Sequence, residues 1–307
     1  MSLSSKNITV LESSAGTVSA STAHAESPHA HPPLPEEPLV IIERTESWVA
    51  VNFRDLWAYR GLLYFLIWRD LKVRYKQTVL GIAWVIMQPL LATFIFTIFL
   101  GMLARVSSDG LPYPLFVYAG LLPWTFFSSA VTTSSNSLVG NAHLITKVYF
   151  PRMLIPAAAI SGRLVDFAIA FVILIGLMIY YGMAVTKQIV MLPPLIILVT
   201  LFAFGFGMLL SAFNVKYRDV GAILPVVIQL WMFASPVLYP MSLVPQKWQV
   251  LFALNPIVGI TEGFRASLFG QEFNWVALTF SFVVTLILLV CSAYTFQRME
   301  KSFADTV

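Results

Sequence analysis

The side chains best able to do chemistry in this sequence are cations gathered in one short segment. They are Arg60, Arg69, Lys72, Arg74 and Lys76. Guanidinium and ammonium groups bind carboxylates and phosphates through charge-assisted hydrogen bonds. Directly after this segment, residues 77–104 contain no charged side chain. A dense basic segment beside a long apolar run is typical of an anchor at the surface of a membrane.

A second pair of charged residues lies inside an otherwise apolar stretch. Arg163 and Asp166 are three positions apart, which places them on one face of a helix and favours an ion pair. We interpret them as a neutralised pair near the inner end of a membrane span, with a contact to a transported molecule as the alternative. One such pair does not by itself indicate a proton relay.

The usual signatures of an enzyme are missing from the sequence. It contains no phosphate-binding loop of the G-x-x-x-x-G-K-[ST] type, no H-E-x-x-H and no Cys–His constellation. The histidines of the tail, His24, His29 and His31, could bind a metal, but a solvated low-complexity segment explains them better. We therefore expect no catalytic residue, no metal site and no cofactor in this chain.

Aromatic residues provide the remaining chemistry. The candidates that could line a channel are Trp84, Phe94, Trp124, Trp231 and Phe233. Packing against lipid and interfacial belts explain most aromatic residues of membrane proteins. Flat rings are also surfaces along which a sugar chain can slide, and the sequence leaves both interpretations open.

The elements that must position these residues are membrane helices. The chain is 58% hydrophobic and only 11% charged, and a bilayer core needs roughly 20 apolar residues per helix. The charge-free runs predict an all-α integral membrane protein with six spans. These lie near residues 79–101, 114–137, 154–180, 190–212, 220–238 and 275–296.

The distribution of Lys and Arg predicts the orientation of these spans. Most of the basic residues between spans fall on one side, together with both ends of the chain. By the positive-inside rule this side is cytoplasmic. The net charge of +4 therefore reflects topology, and we expect no nucleic-acid partner.

Three regions follow along the chain. Residues 1–40, rich in Ser, Ala, His and Pro, predict a disordered cytoplasmic tail. Residues 41–78 predict an interfacial amphipathic helix region that turns upward at about Thr78, and residues 79–307 contain the six-span domain.

Two further segments are too polar to cross the membrane. Residues 239–274 predict two short helices that dip back into the outer leaflet, where Gly259 and Gly263 suit close packing. A short cytoplasmic helix is expected at about residues 141–149, between spans two and three.

Four long blocks in this order resemble one family. They are RDLKVRYKQTVLGIAWVIMQPL, LLPWTFFSSAVTTSSNSLVGNAHLITKVYFPRMLIP, RDVGAILPVVIQLWMFASPVLYP and LNPIVGITEGFRASLFG. The sequence is similar to the membrane subunit of bacterial ABC exporters of polysaccharides such as O-antigens, capsules and teichoic acids. The resemblance runs from about Arg54 to the C-terminus.

The resemblance implies a channel in the bacterial inner membrane made by two copies of this chain. Two copies of a separate nucleotide-binding subunit would carry ATP and Mg²⁺. The basic helix at 54–76 would guide a polyprenyl-diphosphate-linked glycan into the channel, among membrane lipids. Contacts to the ATPase would come from Asn141, His143, Lys147, Tyr149, Arg152, Lys216 and Arg218. The periplasmic gate would contain Pro245, Trp248, Pro256, Glu262 and Arg265.

Two other functions remain as alternatives. An ABC exporter of drugs or simple lipids would share the spans and the ATPase partner, but the basic interfacial helix and the four blocks disfavour it. A membrane-embedded transferase would need paired acids or a histidine at the membrane surface. Outside the tail the only histidine is His143, and the predicted outer face offers only Asp109, Glu262 and Glu272 as acids.

Overall fold

The computed structural model describes residues 57–76, 81–300 and 303. The tail 1–40, the first part of the 41–78 region and the turn at Thr78 lie outside these residues. Within the described residues the structure is built from helices, without strands. The predicted all-α class is confirmed.

The chain begins with α1 (Arg60–Lys76) and continues into α2 (Ile82–Phe96), which a π-helix extends over Thr97–Leu103. The predicted basic helix is therefore present as α1. Its Leu66 is buried, whereas Tyr64, Phe65 and Trp68 are exposed. One side of α1 thus packs on the bundle, and its aromatic side remains free for a membrane interface.

The centre of the fold is α3 (Tyr113–Gly140). It packs mainly against α5 (Leu154–Tyr180) and α6 (Leu192–Lys216). The short α4 (Ala142–Lys147) follows α3 directly. Its position confirms the helix expected at 141–149, although the helix is shorter than predicted.

The second half of the chain contains four more helices. They are α7 (Asp219–Phe233), α8 (Gln246–Ala253), α9 (Pro256–Phe269) and α10 (Trp275–Glu300). The two short helices expected within 239–274 are thus present as α8 and α9. Their re-entrant placement in a leaflet stays a prediction.

Five helices of the described residues are long and apolar enough to cross a membrane. They correspond to predicted spans one to four and six. The fifth predicted span, 220–238, is represented by α7, which ends at Phe233 and has 15 residues. A helix of this length spans about 22 Å, short of a ~30 Å hydrocarbon core. The count of six spans therefore stays a prediction.

A polar side chain joins three helices near one end of the bundle. The buried Asn214 of α6 donates to the Ser135 carbonyl oxygen at 3.0 Å and accepts from the Gly221 N–H at 3.0 Å. Buried polar groups need such partners because desolvation without a hydrogen bond is costly. Asn214 thus fixes the turn between α6 and α7 against α3.

Glycines allow the helices to approach closely. A Cβ atom at Gly259 would lie 2.3 Å from Ser281 Oγ and 2.4 Å from the Ala277 carbonyl oxygen of α10. A Cβ at Gly263 would lie 2.9 Å from a methyl group of Leu195. The expected close packing at these two glycines is confirmed, and it holds α9 against α10 and α6.

We expect Gly259→Ala to destabilise the fold by about 1–3 kcal/mol, because the new methyl group would overlap backbone atoms of α10. Thermal unfolding of the detergent-solubilised protein measures this loss. Gly176→Ala is the matched control, since a Cβ there meets no atom within 4 Å. Equal melting temperatures of the two variants would contradict the packing derived for Gly259.

Candidate functional site

A cavity of about 740 Å³ lies where α1, α2, α3 and α5 meet. We call it the basic cavity. The side chains that give it chemical character are Arg74, Tyr75, Trp84, Gln88, Thr125, Phe126, Ser128, Ser129, Arg163, Asp166 and Phe167. Charged groups, hydroxyls and aromatic rings thus share one space, which is large enough for a small-molecule ligand.

The charged part of the basic cavity is organised around Asp166. Its Oδ2 accepts from Arg74 Nη1 at 2.9 Å and from Arg163 Nη1 at 3.1 Å. Its Oδ1 accepts from the hydroxyl of Tyr75. The predicted pair of Arg163 and Asp166 is confirmed, but it belongs to a larger cluster that includes α1.

Two guanidinium groups, those of Arg74 and Arg163, share the Asp166 carboxylate. Arg163 also donates from Nε and Nη2 to Thr133 Oγ1, at 3.0 and 2.7 Å. Burial, together with the neighbouring Asp166 carboxylate, raises the pKa of Tyr75 to about 12. The Tyr75 hydroxyl therefore stays protonated at neutral pH and acts as a donor.

Hydroxyl groups on α3 form a second part of the cavity wall. Ser128 donates to the Thr125 carbonyl oxygen at 3.2 Å, and Ser129 donates to that of Phe126 at 3.1 Å. Each hydroxyl oxygen keeps a lone pair able to accept a hydrogen bond. Trp84 faces this wall and is more than half exposed.

The other aromatic candidates occupy different environments. Trp124 is buried and packs edge-on against Trp231, with ring centroids 6.4 Å apart. Phe94 and Phe233 are exposed on α2 and α7. Only Trp84 of the five lines the basic cavity, and a channel role for the others stays a prediction.

The basic segment divides into different environments. Arg74 lines the cavity, whereas Lys72 and Lys76 are exposed. Arg60 donates to the Trp57 carbonyl oxygen at 3.2 Å and lies 5.6 Å from the Trp57 ring.

Arg69 connects α1 to residues 141–152, which contain α4 and which we call the α4 segment. Its Nη2 lies 2.8 Å from Asp70 Oδ1 and 2.8 Å from Asn141 Oδ1. No sequence signal pairs these residues, because they are 72 positions apart. The basic segment therefore holds the α4 segment in place as well as contributing to the cavity.

The expected ATPase contacts lie mostly on the surface. His143, Lys147 and Tyr149 are exposed, as are Lys216 and Arg218 on the second turn. Arg152 is instead fixed to the end of α10, because its Nη1 donates to the Glu300 carbonyl oxygen at 2.7 Å. The α4 segment thus offers an exposed surface on a fixed support.

Of the expected gate residues, Arg265 contacts Phe116 near the beginning of α3. Pro245 directly precedes α8, Pro256 is the first residue of α9, and Trp248 is half-exposed. Arg265 is only 3% exposed and donates to the carbonyl oxygens of Pro236 and Val237, at 2.8 and 2.5 Å.

Burial shifts the pKa values of the two charged gate residues. It lowers the pKa of Arg265 to about 10 and raises that of Glu262. Arg265 lies 3.7 Å from the centre of the Phe116 ring. It remains a cation at neutral pH and holds α9 against α3 and the end of α7.

A family model described as ABC-2 type transporter matches residues 61–269 of this chain. The match spans more than half of the 307 residues and contains the basic cavity, α4 and the helices α8 and α9. The residues described above as candidate sites thus lie almost entirely within the region that matches this family.

Several relatives align over nearly their whole length. The O-antigen export system permease protein RfbA of Myxococcus xanthus is 29% identical, covering 83% of this chain and 98% of the relative. A protein of the same name from Klebsiella pneumoniae is also 29% identical, covering 80% and 94%. The polysialic acid transport protein KpsM of Escherichia coli is 22% identical, covering 77% and 93%.

We expect Asp166→Asn to lower stability by about 1.5–3 kcal/mol, because it removes a charged acceptor shared by two arginines. Thermal unfolding in detergent measures the loss. Asp70→Asn is the matched control, since Asp70 pairs only with its neighbour Arg69 among the ion pairs of the described residues. A loss as large for Asp70→Asn would contradict the central role of Asp166.

Proposed function

The chain belongs to the ABC-2 type transporter family, and from this premise we propose that it forms the channel of an ATP-driven polysaccharide exporter. Its cargo would be an O-antigen-like glycan linked to polyprenyl diphosphate and moved from the cytoplasm to the periplasm. The family and the apolar helices make it a multi-pass integral protein of the inner membrane. The named functions of the relatives, O-antigen export and polysialic acid transport, support a polysaccharide as cargo.

The observation that carries the cargo proposal is the composition of the basic cavity. A lipid-linked glycan presents a diphosphate beside a sugar chain. The cavity places two guanidinium groups next to a wall of hydroxyls and aromatic rings. Guanidinium groups bind phosphate oxygens in a bidentate geometry, and rings and hydroxyls suit the faces and edges of sugars.

Two guanidinium groups of this cluster contact one carboxylate. Asp166 is 14% exposed at its side chain and is shared between Arg74 and Arg163. A diphosphate in the cavity would offer further charged acceptor oxygens to both guanidinium groups. The exposed Lys72 and Lys76 of α1 would attract the anion before it reaches Arg74, since surface charges steer association.

The exposed residues of the α4 segment support the proposal that the chain docks on a partner ATPase. Tyr149 is 88% exposed and Val148 beside it is also exposed, and aromatic residues on such surfaces are typical anchors of interfaces. ATP and Mg²⁺ would bind to the partner. Because Arg69 donates a hydrogen bond to Asn141, a displacement of the α4 segment would also move α1 and the wall of the basic cavity.

Exposed apolar surfaces support the proposal that two copies of the chain form one continuous channel. Only 6% of an 18-residue apolar stretch within Ala83–Leu103 is buried inside the chain. The short α7 also exposes Ile223, Val226 and Leu230. Two copies, each with its own ATPase subunit and with both termini in the cytoplasm, would bring such surfaces together around a path for the glycan.

A strain that lacks this chain tests the cargo. We expect loss of surface polysaccharide with accumulation of lipid-linked polysaccharide inside the cell, both reversed when the wild-type gene is restored. Electrophoresis of surface glycan and mass spectrometry of lipid-linked glycan measure the two pools. Unchanged surface glycan without internal accumulation would reject a glycan cargo and favour drugs or simple lipids.

Within that strain, we expect Arg74→Gln to reduce surface glycan about tenfold, because one charge-assisted contact to the diphosphate is lost. Lys187→Gln is the control, since it removes an exposed charge that does not line the basic cavity. Immunoblots of the membrane fraction show whether both variants insert equally. Normal export by Arg74→Gln at normal membrane levels would contradict a diphosphate contact.

We expect Tyr149→Ala to weaken the association with the ATPase subunit at least about tenfold while leaving the stability of this chain unchanged. Co-purification of the two subunits and the ATPase rate of the complex measure the effect. Tyr180→Ala is the control, because Tyr180 is 80% exposed at the far end of α5. Equal co-purification of both variants with the ATPase would contradict a docking role for Tyr149.

A further inference from the structure

A second cavity, of about 300 Å³, lies near the beginning of α3, where Phe116 contributes to its wall. We call it the α8–α9 cavity. The loop before α3, the helices α8 and α9 and the segment before α10 form its wall. Its charged and amide side chains are Asp109, Gln249, Glu262, Arg265, Gln271, Glu272 and Asn274.

Among the described residues, the three carboxyl groups of this cavity form no ion pair with its guanidinium group, that of Arg265. The guanidinium instead bonds the carbonyl oxygens of Pro236 and Val237. Its Nε is buried and has no hydrogen-bond partner, although buried donors are nearly always paired. The cavity thus contains polar groups with unused capacity.

The carboxyl groups of the wall also keep free acceptor positions. Asp109 accepts from Ser242 Oγ at 2.9 Å, and Glu262 accepts a long 3.4 Å bond from Asn274. Glu272 makes no hydrogen bond to any other residue that the structure describes. An ionised carboxylate has about four acceptor sites, so each of these groups can bind a further donor.

We propose that the α8–α9 cavity is a subsite for one uncharged sugar unit of the glycan, and that it disfavours acidic sugars. This inference rests on the proposed function and specifies its substrate. Sugar hydroxyls both donate and accept hydrogen bonds, and the wall offers carboxylate acceptors beside amide donors. A volume of about 300 Å³ is at the lower end for ligand sites, which fits one unit of a chain.

The charge balance of the wall gives the preference. Three carboxyl groups face one guanidinium, and that guanidinium is already committed to two carbonyl oxygens. A uronic acid unit would bring a fourth carboxylate into a wall where carboxyl groups already outnumber the guanidinium three to one. This excess of like charge is the kind of repulsive element that gives specificity.

Saturation-transfer NMR on the full-length chain in lipid nanodiscs tests the subsite. The probes are methyl β-D-glucopyranoside and its acidic analogue, methyl β-D-glucuronide. We expect the neutral probe to receive saturation and the acidic one to bind about tenfold more weakly. Failure of the neutral probe to bind, or equal binding of the two, would overturn the proposal.

Variants at two exposed positions of the wall locate the binding. We expect Glu272→Gln and Asn274→Ala each to weaken the neutral probe several-fold, whereas Lys247→Gln on α8, outside the cavity wall, should not. Glu272→Lys should increase binding of the glucuronide. Unchanged binding in Glu272→Gln and Asn274→Ala, or no gain in Glu272→Lys, would contradict the assignment.

This experiment is separate from the export assay. A chain that binds no neutral sugar, in a strain that accumulates lipid-linked glycan, would reject the subsite and leave polysaccharide export standing. A chain that binds the neutral probe, in a strain with unchanged surface glycan, would support the subsite and reject the export function.

Discussion

A carboxylate held by two arginines is the interaction on which the α1 end of the molecule depends. An isolated charge within a membrane span is expensive, so Asp166 must be neutralised where it stands. Its own helix supplies Arg163, and α1 supplies Arg74 and the hydroxyl of Tyr75. The contacts that neutralise Asp166 therefore also fix α1 against the spans and shape the basic cavity.

The opposite end is fixed in a similar way by a single cation. Arg265 bonds two carbonyl oxygens beyond α7 and lies against Phe116 of α3. Gly120 leaves the room for this arrangement, since a Cβ there would lie 2.3 Å from Arg265 Nη2. Hydrogen bonds therefore fix Arg265 in the wall of the α8–α9 cavity, whereas the carboxyl groups of the wall keep acceptor positions to spare.

Between these ends, α3 connects the two cavities and the α4 segment. Several of its serines and threonines bond back to carbonyl oxygens of the same helix, as Thr132 and Thr133 do at 2.7 Å. These bonds satisfy the donors of Thr125, Ser128 and Ser129 on the cavity wall and leave their oxygen lone pairs available. Asn141 at the end of α3 then accepts from Arg69. One central helix thus relates the binding surfaces to the expected ATPase contact.

The sequence by itself determined the helical class, the positions of the long spans, the short helices α4, α8 and α9, and the basic helix α1. These are local properties, because span length and charge placement are read from neighbouring residues. It also predicted the pairing of Arg163 with Asp166, which one turn of helix brings together. Only the tertiary structure placed Arg74 on Asp166 and Arg69 on Asn141. Those partners are 92 and 72 positions apart, and such contacts depend on how helices pack, which local spacing does not encode.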